Sequence, residues 1–417
     1  MFEVFAAIFK SLDSWLATII TPYDAILKTI SYLLGPIVAI VTVVYKRKSL
    51  AQLVASAQEA ARLQAEADAK GERLSKLENE LDRARDDLER RETQVHELQQ
   101  DIRRITEGAE ELWKLRPASK SRKYDELRLW KGQDAGAKVV TFANFKGGVG
   151  KTTLTANFAA YLSQTLGKSV LLVDLDFQGS LSNMLLLANN QEEAASEVEA
   201  LFDPEADFLT VDRAAHHLAP KLAKAWVIPS NYTFARKENQ LLLDWVSNGR
   251  GAEVDVRYRL INSLLRPDVR RKYDAILIDL PPRLSLAAVN AFVASHSVVV
   301  PTLLDRLSIE AVRSFLTNLK DMRQDLDIGI EVAGIVGMMT RSQERSKGEN
   351  LAMDLAREAG RAWDADRDLV FRSTVPRRVA IGNAAGENIA YLVNDAQNGP
   401  VSELFDPLFK EIVDRIW

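Results

Sequence analysis

The spacing of apolar positions changes twice along the 417 residues. The first stretch ends in a run that is apolar almost without a break. From Thr29 to Tyr45 the chain reads TISYLLGPIVAIVTVVY, seventeen residues without a charge, and about 20 apolar residues span a bilayer. This predicts a single membrane crossing, with Lys28 able to extend toward headgroups and Gly35-Pro36 tolerated within a membrane helix. Lys46-Arg47-Lys48 follows at once, and such a cluster marks the cytoplasmic side. Earlier, Phe2, Phe5, Phe9, Leu12, Leu16 and Ile19 repeat at helical spacing, with Glu3, Lys10 and Asp13 among them. That pattern predicts an amphipathic helix at the interface, with a two-helix membrane hairpin as the alternative. Residues 1–48 are thus read as a membrane anchor, against the blander reading of a buried core helix.

From residue 49 the period becomes a heptad. One seam takes Leu53, Ala60, Ala67, Leu74, Leu81, Leu88, Val95, Ile102 and Ala109, and the other takes Ser56, Leu63, Lys70, Leu77, Ala84, Arg91, Leu98, Ile105 and Leu112. A repeat sustained this far predicts a coiled coil over 49–116, weakened at Lys70, Gly71 and Arg91; a long solvated single helix is its competitor. Residues 117–137 read as a linker containing one short helix. After Lys138 short apolar runs alternate with helical segments. The strand candidates are 138–144, 169–176, 225–230, 274–281, 297–302 and 332–340. Nearly continuous apolar strands separated by helices predict a mostly parallel sheet between helices, so residues 138–417 form one α/β domain.

Composition narrows the chemistry. The chain has no cysteine, which excludes disulfides, thiolate metal sites and a cysteine nucleophile. A net charge of -4 does not mark a nucleic-acid binder. The basic candidates for DNA contact are 266–272, Arg341, Arg345, Lys347, Arg372, Arg377 and Arg378. Between Arg341 and Arg378 nine basic residues face seven acidic ones, so a solvated mixed-charge surface is the preferred reading and non-specific DNA the weaker one. His96, His216, His217 and His296 show no metal-ligand spacing.

One motif carries chemistry outright. Lys146-Gly147-Gly148-Val149-Gly150-Lys151-Thr152-Thr153 follows a predicted strand and opens a predicted helix, the context that a phosphate-binding loop requires. Glycines let backbone N–H groups converge on phosphate oxygens, and the helix N-terminus adds partial positive charge. Lys151 is placed for the β/γ-phosphates and Thr152 for Mg²⁺. Asp174 and Asp176 end one strand and Asp279 another, and ligands sit beyond the carboxyl ends of strands in an open α/β sheet. Each of these aspartates has a blander reading as a helix cap or turn residue. Lys146 sits at the strand-to-loop junction, badly placed to duplicate Lys151 in its own subunit; a solvated loop lysine is its blander reading.

The loop, together with DLDFQGS, YDAILIDLPP, SVVVPTLLDRLSIEAV and STVPRRVAIGNAAGENI, resembles the ParA/MinD family of deviant Walker A ATPases over roughly residues 138–400. The resemblance implies a P-loop NTPase fold, ATP and Mg²⁺ as cofactors, and ATP hydrolysis. It implies that Asp279 holds Mg²⁺ through water, that Asp174 supports the Mg²⁺ shell, and that Asp176 helps position the attacking water. Lys146 would reach across a sandwich dimer to the partner's nucleotide. Phe177 stands where the family usually has proline, which leaves that switch less constrained. The expectation is a membrane-tethered ATPase at the bacterial inner membrane with its ATPase domain in the cytoplasm. It would dimerise through the ATP sandwich and the coiled coil, and position or regulate a protein partner. An ATP-switch or scaffold subunit of a larger assembly in defence or secretion is the alternative. A tyrosine-kinase-like enzyme is disfavoured, because the chain ends FDPLFKEIVDRIW without a tyrosine cluster.

Overall fold

The computed structural model describes residues 34–40, 43, 76, 79–90, 93, 122–132, 136–192, 194–248, 255–341, 346–384, 388–395 and 399–417. The chain divides into two units, Met1–Gln99 and Gln100–Trp417. In the first unit, residues 34–40 and 79–90 are helical. Over 79–90, Leu81, Ala84 and Leu88 are half-buried and the rest exposed. All three are seam positions of the expected heptad, so an apolar stripe is present over those turns. Most of the coiled coil expected over 49–116 lies outside the described residues, as does the interfacial helix expected over 1–20. Among the described residues no helix is long and apolar enough to cross a membrane. The crossing expected over 29–45 is described only at 34–40 and 43; its remainder lies outside.

The second unit is built on one eight-stranded sheet. In chain order its strands are β1 (Lys138–Phe142), β2 (Val170–Asp174), β3 (His216–His217), β4 (Ala225–Ile228), β5 (Ala275–Asp279), β6 (Ser297–Leu303), β7 (Glu331–Thr340) and β8 (Val375–Pro376). In space they run β3-β4-β2-β5-β1-β6-β7-β8, all neighbours parallel except the edge pair β3 and β4. The six expected strands are all present, and the short edge strands β3 and β8 are additions that two residues of pattern cannot announce. The longer helices are α1 (Arg122–Gly132), α2 (Lys151–Ala160), α3 (Ser180–Ala188), α4 (Tyr232–Asn248), α5 (Leu286–Ala294), α6 (Arg306–Asp325), α7 (Lys347–Trp363) and α8 (Asp406–Ile416).

Alternation along β1 shows how the two faces are filled. Val140 and Phe142 enter a core with Phe158 of α2, Leu185 of α3 and Phe409 of α8. Thr141 points the other way, toward Ser295 at the end of α5. On that second face Phe145, Phe292 and Phe315 meet edge to face at 5.1–6.4 Å. Each fully buried aliphatic or aromatic side chain contributes about 1.5–3 kcal/mol. With both faces covered, the exposed route to the sheet is along the strand ends.

Helix α1 lies within the segment read as a linker, yet it is fastened to the sheet domain. Leu127 is 1% exposed, and among the described side chains several polar contacts add to it. Lys131 Nζ donates to the carbonyl of Val293 at 2.9 Å, and Arg270 donates to that of Trp130. His296 links helix and strand: its Nδ1 accepts from Val139 N at 3.0 Å and its Nε2 faces the carbonyl of Lys131 at 3.2 Å. The ring is therefore the neutral Nε2–H tautomer. Burial pushes the His296 imidazole down to about 3, helped by the charge of Lys131.

That shift has a direction in pH. The unfolded imidazole binds its proton near 6.5, well above the folded value, so His296 stabilises fully above pH 6.5 and loses its contribution as pH falls toward 3. The ceiling is about 1.4 kcal/mol per pH unit, lower here because the residue keeps some solvent contact. Asparagine retains one acceptor and one donor without a titratable proton. His296→Asn is expected to flatten the fall in unfolding midpoint between pH 7 and 5; a profile parallel to the unsubstituted protein would show that His296 does not set it.

Candidate nucleotide site at the strand ends

β1 hands the chain to the glycine-rich loop through Asn144. Its Nδ2 donates to the carbonyl of Pro301 and its Oδ1 accepts from Lys146 N, both at 2.9 Å. Two glycines are then required by conformation. Gly148 has φ 71° and Gly150 φ 89°, and a Cβ on Gly150 would lie 2.9 Å from Met338 Cε. Val149 is buried between them, while Gly147 and Gly148 are exposed. Gly150 caps α2 in the left-handed region, and the first turn of α2 has no acidic residue and no side-chain cap. A helix N-terminus left in that state attracts an anion.

Lys151 opens the helix and is 7% exposed. Its Nζ donates to the carbonyl of Lys146 at 3.2 Å. Burial pulls its pKa below the usual lysine value, opposed by Asp279 and Asp176. Thr152 Oγ1 donates to Asp279 Oδ2 at 2.6 Å, joining the helix start to the end of β5. Thr153 shares the first turn, and its carbonyl accepts from Asn157 Nδ2 at 2.6 Å.

Asp279 and Asp174 end neighbouring strands in register, and both are fully buried. Burial drives Asp279 up to about 8, with Asp174 adding repulsion and Thr152 and Lys151 opposing. Burial likewise drives Asp174 up to about 7, against its hydrogen bonds from Ser182 and Asp176. The two differ in what they can offer. Asp174 is engaged by Asp176 N at 3.0 Å, Ser182 N at 2.9 Å and Ser182 Oγ at 2.7 Å. It holds the turn after β2 and the start of α3. Asp279 accepts from Thr152, with Thr155 Oγ1 farther off at 3.5 Å.

Mg²⁺ keeps several of its waters and takes one or two protein oxygens beside substrate phosphates. The Thr152 hydroxyl and the Asp279 carboxylate fit that demand. Among the described residues no group of three His, Asp or Glu side chains could hold a metal by itself.

Asp176 is half-buried in the turn that follows β2, where its Oδ1 accepts from Gln178 N at 3.0 Å. Lys146 does not join Lys151. Its Nζ donates to Ser308 Oγ at 2.7 Å and lies 3.8 Å from Asp305 Oδ1. Ser308 Oγ donates to Asp305 Oδ2 at 2.6 Å, and Asp305 caps α6 through Ser308 N. The second lysine is thus held by the N-terminus of another helix in its own chain.

Beside the loop opens a cavity of about 650 Å³, lined among others by Leu304, Asp305, Met338, Arg341, Glu349 and Arg377. It borders Gly150 through Met338 and Lys146 through Asp305. The sequence reading missed it, because its walls come from β6, β7, α7 and the strand β8 region. The basic stretch 266–272 is largely structural. Arg270 is 2% exposed and donates to the carbonyl of Ala137, and Lys272 pairs with Asp212. Lys347 also lines the cavity, and Arg345 lies outside the described residues.

Residues 137–332 match the AAA domain family AAA_31. The sporulation initiation inhibitor protein Soj of Bacillus subtilis is 28% identical over 278 residues, covering 66% of this chain and 98% of that protein. The chromosome partitioning protein ParA of Caulobacter vibrioides is 28% identical over 279 residues, covering 67% of this chain and 94% of its own. Among solved structures, Cyanthece apo McdA aligns with 67% of this chain and 100% of its own at 20% identity and a TM-score of 0.52, a likeness of fold. The loop and its strand-end carboxylates lie within residues 137–332, so this part of the chain is similar to the ParA-type proteins named.

Proposed function

We propose that the chain is an ATPase that binds ATP with Mg²⁺, pairs with a second copy around the two nucleotides, and uses hydrolysis to position or regulate a protein partner. The observation that carries this reading is the joint placement of the Gly148–Lys151 loop, Thr152 and Asp279 at the ends of adjacent parallel strands. The backbone N–H groups of the loop and Lys151 would hold the phosphates. Thr152 and Asp279 would hold Mg²⁺, whose charge draws electron density from the phosphate oxygens. The cavity bordered by Met338 and Asp305 leaves room for the nucleoside end.

Within this reading the residues divide their labour. Asp174 fixes the turn that carries Asp176, and so acts on the Mg²⁺ shell only through position. Asp176 orients the attacking water. Lys146 leaves Ser308 to meet the partner's nucleotide when the dimer closes. The apolar segment at 29–45 would tether the protein to the bacterial inner membrane with the ATPase domain in the cytoplasm, and the heptad segment would add a second self-association. With Arg270 buried in the fold and Lys272 paired with Asp212, non-specific DNA stays the weaker partner.

The test is a titration of the purified protein with a fluorescent ATP analogue, with and without Mg²⁺, beside release of inorganic phosphate. Mg²⁺-dependent binding and slow turnover are expected. Asp176→Ala should bind like the unsubstituted protein and turn over about 10²-fold more slowly, the scale of losing one positioned group. Absence of Mg²⁺-dependent ATP binding would sink the reading.

A further inference from the structure

Two loops leave neighbouring strands at the site. β2 ends at Asp174 and turns through 176–179; β5 ends at Asp279 and runs into Pro281-Pro282-Arg283. Asp174 and Asp279 are paired in register, so the loops start side by side. The first turn is pinned at both ends. Asp176 N donates to Asp174 Oδ1 at 3.0 Å, and Gly179 N to the carbonyl of Asp176 at 2.8 Å. Gly179 has φ 65°, and a Cβ there would lie 2.6 Å from the carbonyl oxygen of Ser230. Between the pins sits Phe177, and its ring reaches the second loop.

The guanidinium carbon of Arg283 lies 5.4 Å from the Phe177 ring centroid, within the reach of a cation–π contact. Tyr232, at the start of α4, meets the same ring edge-on at 5.4 Å. Arg283 is itself held: its Nη2 donates to Glu238 Oε2 at 2.7 Å. Glu238, 5% exposed on α4, uses its other oxygen to accept from Ala287 N in the first turn of α5 at 2.8 Å. The arm is therefore anchored at a buried carboxylate, and a planar guanidinium suits both the carboxylate and a ring face as a lysine ammonium would not. Phe177 and Arg283 are 106 positions apart in sequence, so only the fold brings them together.

We propose that Phe177 and Arg283 form a brace between the two loops that positions Asp176 for hydrolysis, with Glu238 setting the Arg283 guanidinium. The inference rests on the ATPase reading above. Phe177 is the immediate neighbour of Asp176 in a four-residue turn, so the direction of the Asp176 carboxylate depends on where the ring is held. Neither Phe177 nor Arg283 has to touch nucleotide for this; both are positioning residues. The brace also supplies the constraint that the absent proline leaves missing.

The experiment compares ATP hydrolysis by the full-length protein with that of F177L, F177Y, R283A, R283K and F177L/R283A, with thermal midpoints as a check on folding. F177L and R283A are expected to lower kcat about tenfold to hundredfold with KM for ATP within about threefold, since misplacing a catalytic group by about 1 Å costs up to about 10²-fold. F177Y keeps a ring and should keep kcat, and R283K should rescue in part. The double variant should be no slower than the slower single one, because both changes remove the same contact. Values of kcat within about twofold of the unsubstituted protein would overturn the brace, as would a rise in KM alone or an F177Y as slow as F177L. A parent protein that releases no phosphate would overturn the ATPase reading instead. The brace would then be decided by deuterium uptake of residues 174–179, which R283A must raise for it to stand.

Discussion

Lys151→Ala is expected to lose tight binding of Mg²⁺-ATP while the protein stays folded. The ammonium is nearly buried and has one modest partner, the carbonyl of Lys146 at 3.2 Å. Burial works against its charge, and Asp279 and Asp176 work for it. A phosphate at the loop would replace the weak carbonyl contact with charge-assisted hydrogen bonds, each worth about 1.5–3 kcal/mol. Losing two of them weakens binding by about 10²- to 10⁴-fold. The loop itself does not depend on this side chain, because Gly148 and Gly150 set its path and Asn144 ties its start. Nucleotide titration beside thermal unfolding checks both halves. Binding within about threefold of the unsubstituted protein would remove Lys151 from the phosphate site.

What sequence reveals and what it hides divide along a physical line. The six central strands were legible because a strand buried on both faces must be apolar throughout, as in Val170-Leu171-Leu172-Val173. The loop was legible because close approach of backbone to phosphate leaves glycine little competition, and Gly150 against Met338 shows the steric reason. Helix α1 was seen only as a short helix in a connector. Its composition is polar, and its docking rests in part on Lys131, His296 and Arg270, whose partners lie more than a hundred residues away.

The aspartates show the same limit at finer scale. Asp174 and Asp176 look alike in the string DLD, yet the first is enclosed by Ser182 and its own turn while the second is half-open. Alternation along β2 buries Asp174 with the strand; Ser182, eight residues on, then occupies one of its oxygens and Asp176 N the other. Phe177 registered only as a departure from a pattern, since nothing in the sequence pairs it with Arg283. The cavity beside the loop left no trace, because four separated segments wall it.

Lys146→Ala is expected to separate binding from assembly and turnover. In this chain the Lys146 ammonium is held by Ser308 and lies near Asp305, on the cap of α6. It therefore contributes little to nucleotide held by its own subunit, and Mg²⁺-ATP affinity should stay within about threefold after the substitution. In the closed pair the same side chain would leave the cap for the partner's phosphates, where a cation supplied in trans contributes about 10³–10⁵ in rate. Ser308 and Asp305 would compete for it, so on the proposed cycle the resting contact would set a threshold for closure. Asp305→Asn removes the nearby charge and should shift closure to lower ATP concentrations, which separates the role of the contact from that of the lysine. Sedimentation of residues 119–417 with Mg²⁺-ATP, alongside phosphate release, decides the matter. Lys146→Ala is expected to stay monomeric and to hydrolyse at least about 10²-fold more slowly. An ATP-dependent dimer of ordinary strength with ordinary turnover would confine Lys146 to the cap of α6, and Asp305→Asn would then leave assembly unchanged.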